Sequence, residues 1–537
     1  MFIISTKREA AIASLNKYSR RLLELKDREG LEQLSVGTMQ EVNIGRFHLC
    51  WFRCKPSDNL HVFEDGVVIG KLDFAEPPND TQLLHPNRLP AVFHSLTNAV
   101  VISNALVTPI NVTNIYYGGG AVSDMQLLIA EMNGYQPSPE GVALLCSIGY
   151  FPGNTTLFRE VVKIPLLHSY GLVDGSVRSS AAFHYRENDD DAMIARLTEI
   201  VPRGVTNHVG MTGGYDSRFV LGVLYNSGGR VEITRFESNE SHLVSKIAAA
   251  LNLPNHGVLE TAPKLAADFY ALLGDSQIKY GGHQFSGLRR LLTHNSVYHT
   301  GHFADSIIKN AFKTAWKIPS MQPIFERLID HALLSRTPKR LNGLASFNTR
   351  TALRSHLLES LDFEKSYYPF PRKKEWANWF YFINRGVRWA QSYNADLSYF
   401  AYPVYLLSDL HATSLGISSS AWANFSNDRV RELNRKLLPT VITPYLNGQS
   451  VRPQPPGIRE LRKIKYEYGD RLLARYRLRK KWAAREKGAT FANCQQAEQF
   501  GRYFTSPLSE LLLGSNINGS VKPAALIVNS TLAYLHS

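Results

Sequence analysis

Eight residues constrain this chain more than any others: Met211-Thr-Gly-Gly-Tyr-Asp-Ser-Arg218. Val205 to Met211, which runs into them, reads as a strand, and Ser217 to Asn226 reads as a helix stopped by Gly228-Gly229. Glycines at a strand end let the backbone approach a ligand closely, with amide N–H groups turned towards it. A helix opening at once adds the positive end of its dipole. Such a turn suits phosphate, and Thr212 and Ser217 bring hydroxyl donors to the same place. Asp216 would repel phosphate by itself, so its presence beside the loop suggests a Mg2+ bridge. Neither the dinucleotide fingerprint G-x-G-x-x-G nor the Walker pattern G-x-x-x-x-G-K-[ST] fits the segment.

The surrounding grammar alternates. Val231 to Phe236 reads as a second strand, and Ser241 to Leu251 as a helix with Val244, Ile247, Ala248 and Leu251 on one face. Alternation of this kind predicts an α/β fold with a doubly wound parallel sheet. Residues 310 to 450 read as mainly helical and rich in aromatics. Upstream, residues 1 to about 180 read as β-rich, with short apolar runs such as Phe47-His-Leu-Cys-Trp-Phe52 and Val100-Val-Ile102 between turn-formers. One helix is expected there, around Ser123 to Met132, and Arg186-Glu-Asn-Asp-Asp-Asp191 reads as a linker.

At 537 residues the chain is too long for one core, and two to four domains are expected. With 44% hydrophobic and 20% charged residues it is an ordinary globular composition, which excludes wholesale disorder and fibrous repeats. The four cysteines, Cys50, Cys54, Cys146 and Cys494, are too scattered for a disulfide framework. Cys50 and Cys54 form a C-x3-C without a second pair at zinc-finger spacing. The cytosol is the expected compartment: the start of the sequence lacks the order of a signal peptide, and Ala91 to Val112 is too interrupted by polar residues for a membrane span. The net charge of +14 suggests an anionic partner. Between Gly457 and Gly488, however, 12 Lys/Arg against four Asp/Glu supply a net +8 on an expected helix with one apolar stripe. That segment is a candidate contact for a polyanion or a membrane surface.

Thr212-Gly-Gly-Tyr-Asp-Ser217 resembles the pyrophosphate loop S-G-G-x-D-S of the asparagine synthetase family. A second segment, Ser296-Val-Tyr-His-Thr-Gly-His-Phe-Ala-Asp305, reads as a strand ending in T-G-x-x-x-D. It is similar to the family's S-G-x-G-[SA]-D, whose Asp shares Mg2+ with the first motif's Asp. Arg385-Gly-Val-Arg-Trp389 through Tyr399-Phe-Ala-Tyr-Pro-Val-Tyr-Leu-Leu-Ser-Asp409 loosely resembles the later R-x-P-F-L-D segment. Val142 to Gly175, with Gly149-Tyr-Phe-Pro-Gly153 and Thr156-Leu-Phe158, looks like the end of the family's glutaminase-type domain. The resemblance implies an Ntn-like αββα sandwich over 1–185, degenerate as a glutaminase. It implies an adenine-nucleotide-hydrolase-like α/β synthetase domain over 192–450; the basic helical extension over 451–537 lies beyond the resemblance, which covers roughly 60 to 450. ATP and Mg2+ would be the cofactors. Thr212, Gly213, Gly214, Tyr215, Ser217 and Gly301 would surround the pyrophosphate, and Asp216 and Asp305 would hold the metal. His302, beside the second loop, and Arg388, three residues from Arg385 on an expected helix, are further catalytic candidates.

The departures narrow the chemistry. Glutaminase domains of this type use an N-terminal Cys as nucleophile, whereas position 2 here is Phe2. The chain therefore resembles most the members without that Cys, such as β-lactam synthetases and lasso-peptide cyclases. The expected reaction is ATP-dependent amide formation through an acyl-adenylate, with a small-molecule or peptide carboxylate and an amine as substrates, in specialised metabolism. Phe303 stands where the second motif usually has Gly, Ser306 where it has an acid, and no counterpart of the family's later lysine is recognisable near Thr443-Pro-Tyr-Leu-Asn-Gly448. Asp275 is a candidate on the substrate side, and Tyr399, Tyr402, Asp428 and Glu432 are candidate bases. His294, His299 and His302 are not read as a zinc set, because a strand points alternate residues apart. Two other classes stay open: a non-catalytic descendant that binds a partner or polyanion, and an RNA-modifying enzyme using the same adenylation chemistry on a base; within the amide-forming reading, a glycan carboxylate is the second candidate substrate. Nucleic acid is not expected as a partner, since no RNA-binding module is recognisable. Homodimerisation stays open.

Overall fold

A computed structural model of the chain describes nearly all of residues 1–69, 100–107, 114–179, 189–236, 241–259, 296–308, 382–391, 397–417, 428–438 and 531–536, with shorter pieces elsewhere. The 457–488 segment, Asp275 and His294 lie outside the described residues.

The first third holds strands β1 (Phe2–Ser5), β2 (Gln40–Ile44), β3 (Phe47–Trp51), β4 (Leu60–Phe63), β5 (Gly66–Ile69) and β6 (Val100–Ile102). After these come β7 (Ala105–Val107), β8 (Tyr116–Gly118), β9 (Ala121–Ser123), β10 (Val162–Lys163), β11 (His168–Gly171) and β12 (Val177–Ser179). They make two antiparallel sheets, in the orders β10-β8-β9-β1-β3-β2 and β12-β11-β7-β6-β5-β4. Strand alternation divides β1 between two cores. Phe2 and Ile4 meet Leu49, Trp51, Val67, Ile69 and Ile102 between the sheets. Ile3 turns the other way and joins Cys50, Tyr116 and Ala121 beneath a helical layer. The turn joining β8 to β9 is Gly119-Gly120, with φ of 57° and 77°, the left-handed pair a tight hairpin requires.

The helical layer is α1 (Arg8–Glu29), α2 (Gln126–Asn133) and α3 (Pro139–Ile148). The expectation of a single helix in this third is thereby corrected. Helix α1 buries Ala11, Leu15, Tyr18, Leu22 and Leu25, an alternating four- and three-residue spacing that keeps one face on the sheet. It stops at Gly30, whose φ is 60°.

The expected linker ends in structure. Asp189 caps α4 (Asp190–Glu199), accepting a hydrogen bond from the Ala192 N–H at 2.9 Å. Next come β13 (Thr206–Met211), α5 (Tyr215–Asn226), β14 (Arg230–Phe236), α6 (Ser241–Ala250), β15 (Asn255–Leu259), β16 (Ser296–His299) and the one-turn α7 (Ala304–Ile307). A π-helical segment, Phe382–Gln391, precedes β17 (Tyr402–Val404), α8 (Leu410–Ile417) and α9 (Asp428–Leu437). The five strands form one parallel sheet in the order β15-β14-β13-β16-β17. The chain is thus mixed α/β, with a parallel sheet and antiparallel sheets. Sequential order reverses between β13 and β16, and open sheets bind ligands beyond the carboxyl ends of strands at such a switch point. Among the described residues no helix is long and apolar enough to cross a membrane.

Candidate functional site at the switch point

The two glycine-containing loops leave neighbouring parallel strands, paired from Thr206↔Ser296 to Val209↔His299. Gly213 holds φ at 82°, a conformation that costs any other residue energy, and Gly214 is the first cap of α5 in an extended conformation. As the N-cap, Gly214 brings no side chain to cap α5. Ser217 ties the loop together: the Thr212 N–H donates to its Oγ at 3.3 Å, and that hydroxyl donates to Gly214 O at 3.2 Å. Thr212 Oγ1 accepts from the Gly214 N–H at 3.4 Å and lies 3.4 Å from Ser217 Oγ.

Gly301 brings the second loop against the first. A Cβ at position 301 would stand 2.9 Å from Ser217 N, 3.0 Å from the Asp216 carbonyl carbon and 3.1 Å from Asp216 Cβ. A Cβ 2.9 Å from a backbone nitrogen is a contact real side chains essentially never make, so glycine lets the two loops close over the opening turn of α5. Thr212, Gly213, Gly214, Tyr215, Asp216, Ser217 and Gly301 are therefore together. Asp305 follows in α7, on the same loop as Gly301; its side chain lies outside the described residues. His302 is half-buried, with Nδ1 2.9 Å from Thr300 Oγ1 and its ring 6.2 Å from that of Tyr405.

Phe303, at the position of the motif's usual glycine, has φ of 73°. The backbone there is the left-handed one that glycine adopts without cost. The phenyl ring is buried and packs on Phe382 and Tyr405, at centroid distances of 5.5 and 5.3 Å.

Two arginines at the loop carry no motif signal. Arg218, nine-tenths buried, donates from Nε to Gly213 O at 2.9 Å and lies over the Tyr215 ring at 5.5 Å. Arg431 of α9 lies over the same ring at 5.6 Å and donates from Nε to Tyr215 Oη at 3.3 Å. Helix α9 approaches because Gly222 leaves room: a Cβ there would stand 2.7 Å from Leu437 Cβ. Only helix packing brings position 431 to position 215, so spacing along the chain could not show it. Asn434 Nδ2 adds a hydrogen bond to Tyr215 O at 3.2 Å.

Other candidates go elsewhere. Arg388 is buried in the π-helical segment and donates from Nη1 to Asn384 Oδ1 at 2.9 Å; the same oxygen accepts from the Gly153 N–H at 2.9 Å. That places Arg388 at the seam with the first third, on a wider coil than the α-helical spacing that would pair it with Arg385. Tyr399 and Tyr402 are buried, whereas Glu432 is exposed and paired with Arg435 at 3.2 Å. His299 is fully buried with Nε2 2.8 Å from Asn207 Oδ1; burial, and then the neighbouring His208, pushes it down to about 3. Asp409, ending the third motif, pairs with Arg196 at 3.3 Å and caps α8 by accepting from the Ala412 N–H at 2.9 Å.

No protein-family model and no curated protein matches this sequence. The chemistry of the site is read from the loops themselves. They offer a glycine turn, an uncapped helix start, two hydroxyls and two arginines at the reversal point of a parallel sheet, a set suited to a polyphosphate.

Proposed function

We propose that the chain is an asparagine synthetase-like ligase, which activates a carboxylate with ATP at the switch point and passes it to an amine. The observation that carries this reading is Gly301 packed against Asp216 and Ser217, which joins the T-G-G-Y-D-S and T-G-x-x-x-D segments in one site. The left-handed backbone at Phe303 supports the same register, since it falls where the family's motif has glycine. The two-sheet first third with helices over one face supports an Ntn-like domain, and Phe2, buried between the sheets, offers no nucleophile for glutamine hydrolysis. The amine is then the substrate's own or a second substrate's.

The opening amides of α5 and the Thr212 and Ser217 hydroxyls hold the β- and γ-phosphates. Arg218 and Arg431 add positive charge beside them. Asp216, in the first turn of α5, and Asp305, in α7, follow adjacent strands and carry the hard oxygen donors that Mg2+ prefers. When bound, that ion neutralises pyrophosphate charge. A carboxylate oxygen attacks the α-phosphorus as its bond to pyrophosphate breaks, giving an acyl-adenylate. The amine nitrogen then attacks the acyl carbon, loses a proton, and AMP departs. The protein contributes positioning and charge stabilisation rather than a covalent intermediate.

The test is ATP–pyrophosphate exchange over a panel of carboxylates, with Asp216→Asn alongside. Carboxylate-dependent exchange that falls by on the order of 10²-fold in the variant is expected. Exchange unchanged in Asp216→Asn contradicts the assignment. A second reading, a nucleotide- or partner-binding descendant without turnover, is favoured by the bulk of Phe303 beside the loops. It predicts nucleotide binding without exchange.

A further inference from the structure

A second cluster lies towards the other end of the same sheet. His208 is the third residue of β13 and Glu232 the third of β14, paired directly across the two strands; His256 is the second residue of β15. From His208 to Met211 the strand covers roughly 10 Å, so the cluster is separate from the nucleotide loop. His208 Nδ1 lies 3.8 Å from Glu232 Oε2, and the His256 Nε2–H donates to that same oxygen at 2.6 Å. The two imidazole rings are 5.8 Å apart, and the three ligand atoms all lie within 4.8 Å of one another. Glu232 Oε1 is taken by Arg230, which donates from Nε at 3.0 Å and Nη2 at 2.7 Å, leaving Oε2 to face the two histidines.

Two observations point to a cation there. The His208 side chain is 4% exposed, and among the described residues its buried Nδ1 has no hydrogen-bond partner although it faces Glu232. Glu232, 8% exposed, has Oε1 met by Arg230 and turns Oε2 into the cluster, towards the unpartnered His208 nitrogen. One nitrogen, one oxygen and one nitrogen converge, with His256 partly open to solvent at 31%.

We propose that His208 Nδ1, Glu232 Oε2 and His256 Nε2 bind one Zn2+, with water at the remaining position. A tetrahedral ion with bonds of about 2.0–2.1 Å wants its donors roughly 3.3 Å apart. The His208–Glu232 distance has to shorten slightly and the His256–Glu232 hydrogen bond to open, both within reach of side-chain rotation. Arg230 holds the carboxylate in place from behind, as outer partners of metal ligands do. The ion ties three neighbouring strands together and keeps β15 on the sheet. The imidazole pair selects zinc over Mg2+, which prefers an all-oxygen shell.

The full-length protein, stripped with a chelator and dialysed, is titrated calorimetrically with Zn2+ and separately with Mg2+, and its Co2+ form is examined by visible absorption. One zinc per chain, a four-coordinate cobalt spectrum and no heat from Mg2+ in this site are expected. His256→Gln and Glu232→Gln each weaken zinc binding by roughly 10- to 100-fold or more. His256 is partly exposed, so His256→Gln decides the matter alone if Glu232→Gln fails to fold. Absence of stoichiometric zinc binding, or affinity and cobalt spectrum unchanged in His256→Gln, overturns the proposal and leaves a His256–Glu232 hydrogen bond.

Discussion

Phe303 sets two opposing effects of one side chain against each other. Its φ of 73° strains any residue with a Cβ, and its ring recovers energy against Phe382 and Tyr405. Two substitutions separate these effects. Phe303→Ala and Phe303→Gly both lose the ring, but only glycine relaxes the backbone. Chemical denaturation should therefore find the Gly variant more stable than the Ala variant by about 1 kcal/mol. Equal stabilities would mean that the left-handed backbone carries no strain.

His299 sets a pH dependence at the same scale. Its folded value, about 3, lies below the ordinary histidine value of 6.5. Between those values the unfolded chain takes up a proton that the folded chain refuses. Stability supplied by neutral His299 is thus complete above pH 6.5 and is lost as pH falls towards 3. Each unit of that window costs about 1.4 kcal/mol per group. Urea unfolding at pH 7 and pH 5 should show a smaller acid loss for His299→Gln, which keeps a donor for Asn207, than for the parent chain. An identical loss would place the acid sensitivity elsewhere.

At the scale of elements, the sequence is most readable where chain order and hydrophobic period coincide. The expected strands at Val205 and Val231 begin within one residue of β13 and β14, because alternating apolar residues bounded by glycine leave little choice. Helix α1 repeats Ala11, Leu15, Tyr18, Leu22 and Leu25, yet a reading built on short apolar runs passes over it. What spacing cannot supply is register between strands and the packing of helices. His208, Glu232 and His256 lie about two dozen residues apart and meet only because β13, β14 and β15 pair as they do. Arg431 reaches Tyr215 only through α9 on α5. The meeting of the two loops belongs to this scale too. Gly301→Ala should push the second loop off α5, and ATP–pyrophosphate exchange should fall by on the order of 10²-fold with little change in secondary structure by circular dichroism. Exchange at the parent rate would show that the loops need not touch.

Across the whole molecule, the first third and the parallel-sheet part share a polar seam. Asn384 Oδ1 accepts from Gly153 and Arg388, Ser360 Oγ accepts from the Asn154 N–H at 2.8 Å, and His168 Nε2 lies 3.2 Å from Tyr367 O. Removing the Asn384 side chain takes one acceptor from two buried donors at once. Asn384→Ala is expected to cost about 1–3 kcal/mol in denaturant unfolding and to loosen the two parts from each other. Limited proteolysis should then cut between them sooner, and unchanged stability would mean the seam is wet. The net charge of +14 has little to say about the candidate site, because the segment from Gly457 to Gly488 supplies +8 of it, outside the two glycine-containing loops.

The central claim is that the paired loops at the β13–β16 reversal hold the pyrophosphate of ATP. Calorimetric titration of the full-length chain with Mg2+ and a non-hydrolysable ATP analogue tests it most directly, with Gly301→Ala and Asp216→Asn as companions of matched thermal stability. A single saturable site that both substitutions weaken by at least tenfold is predicted. No binding by the parent chain, or equal binding by all three proteins, would contradict it.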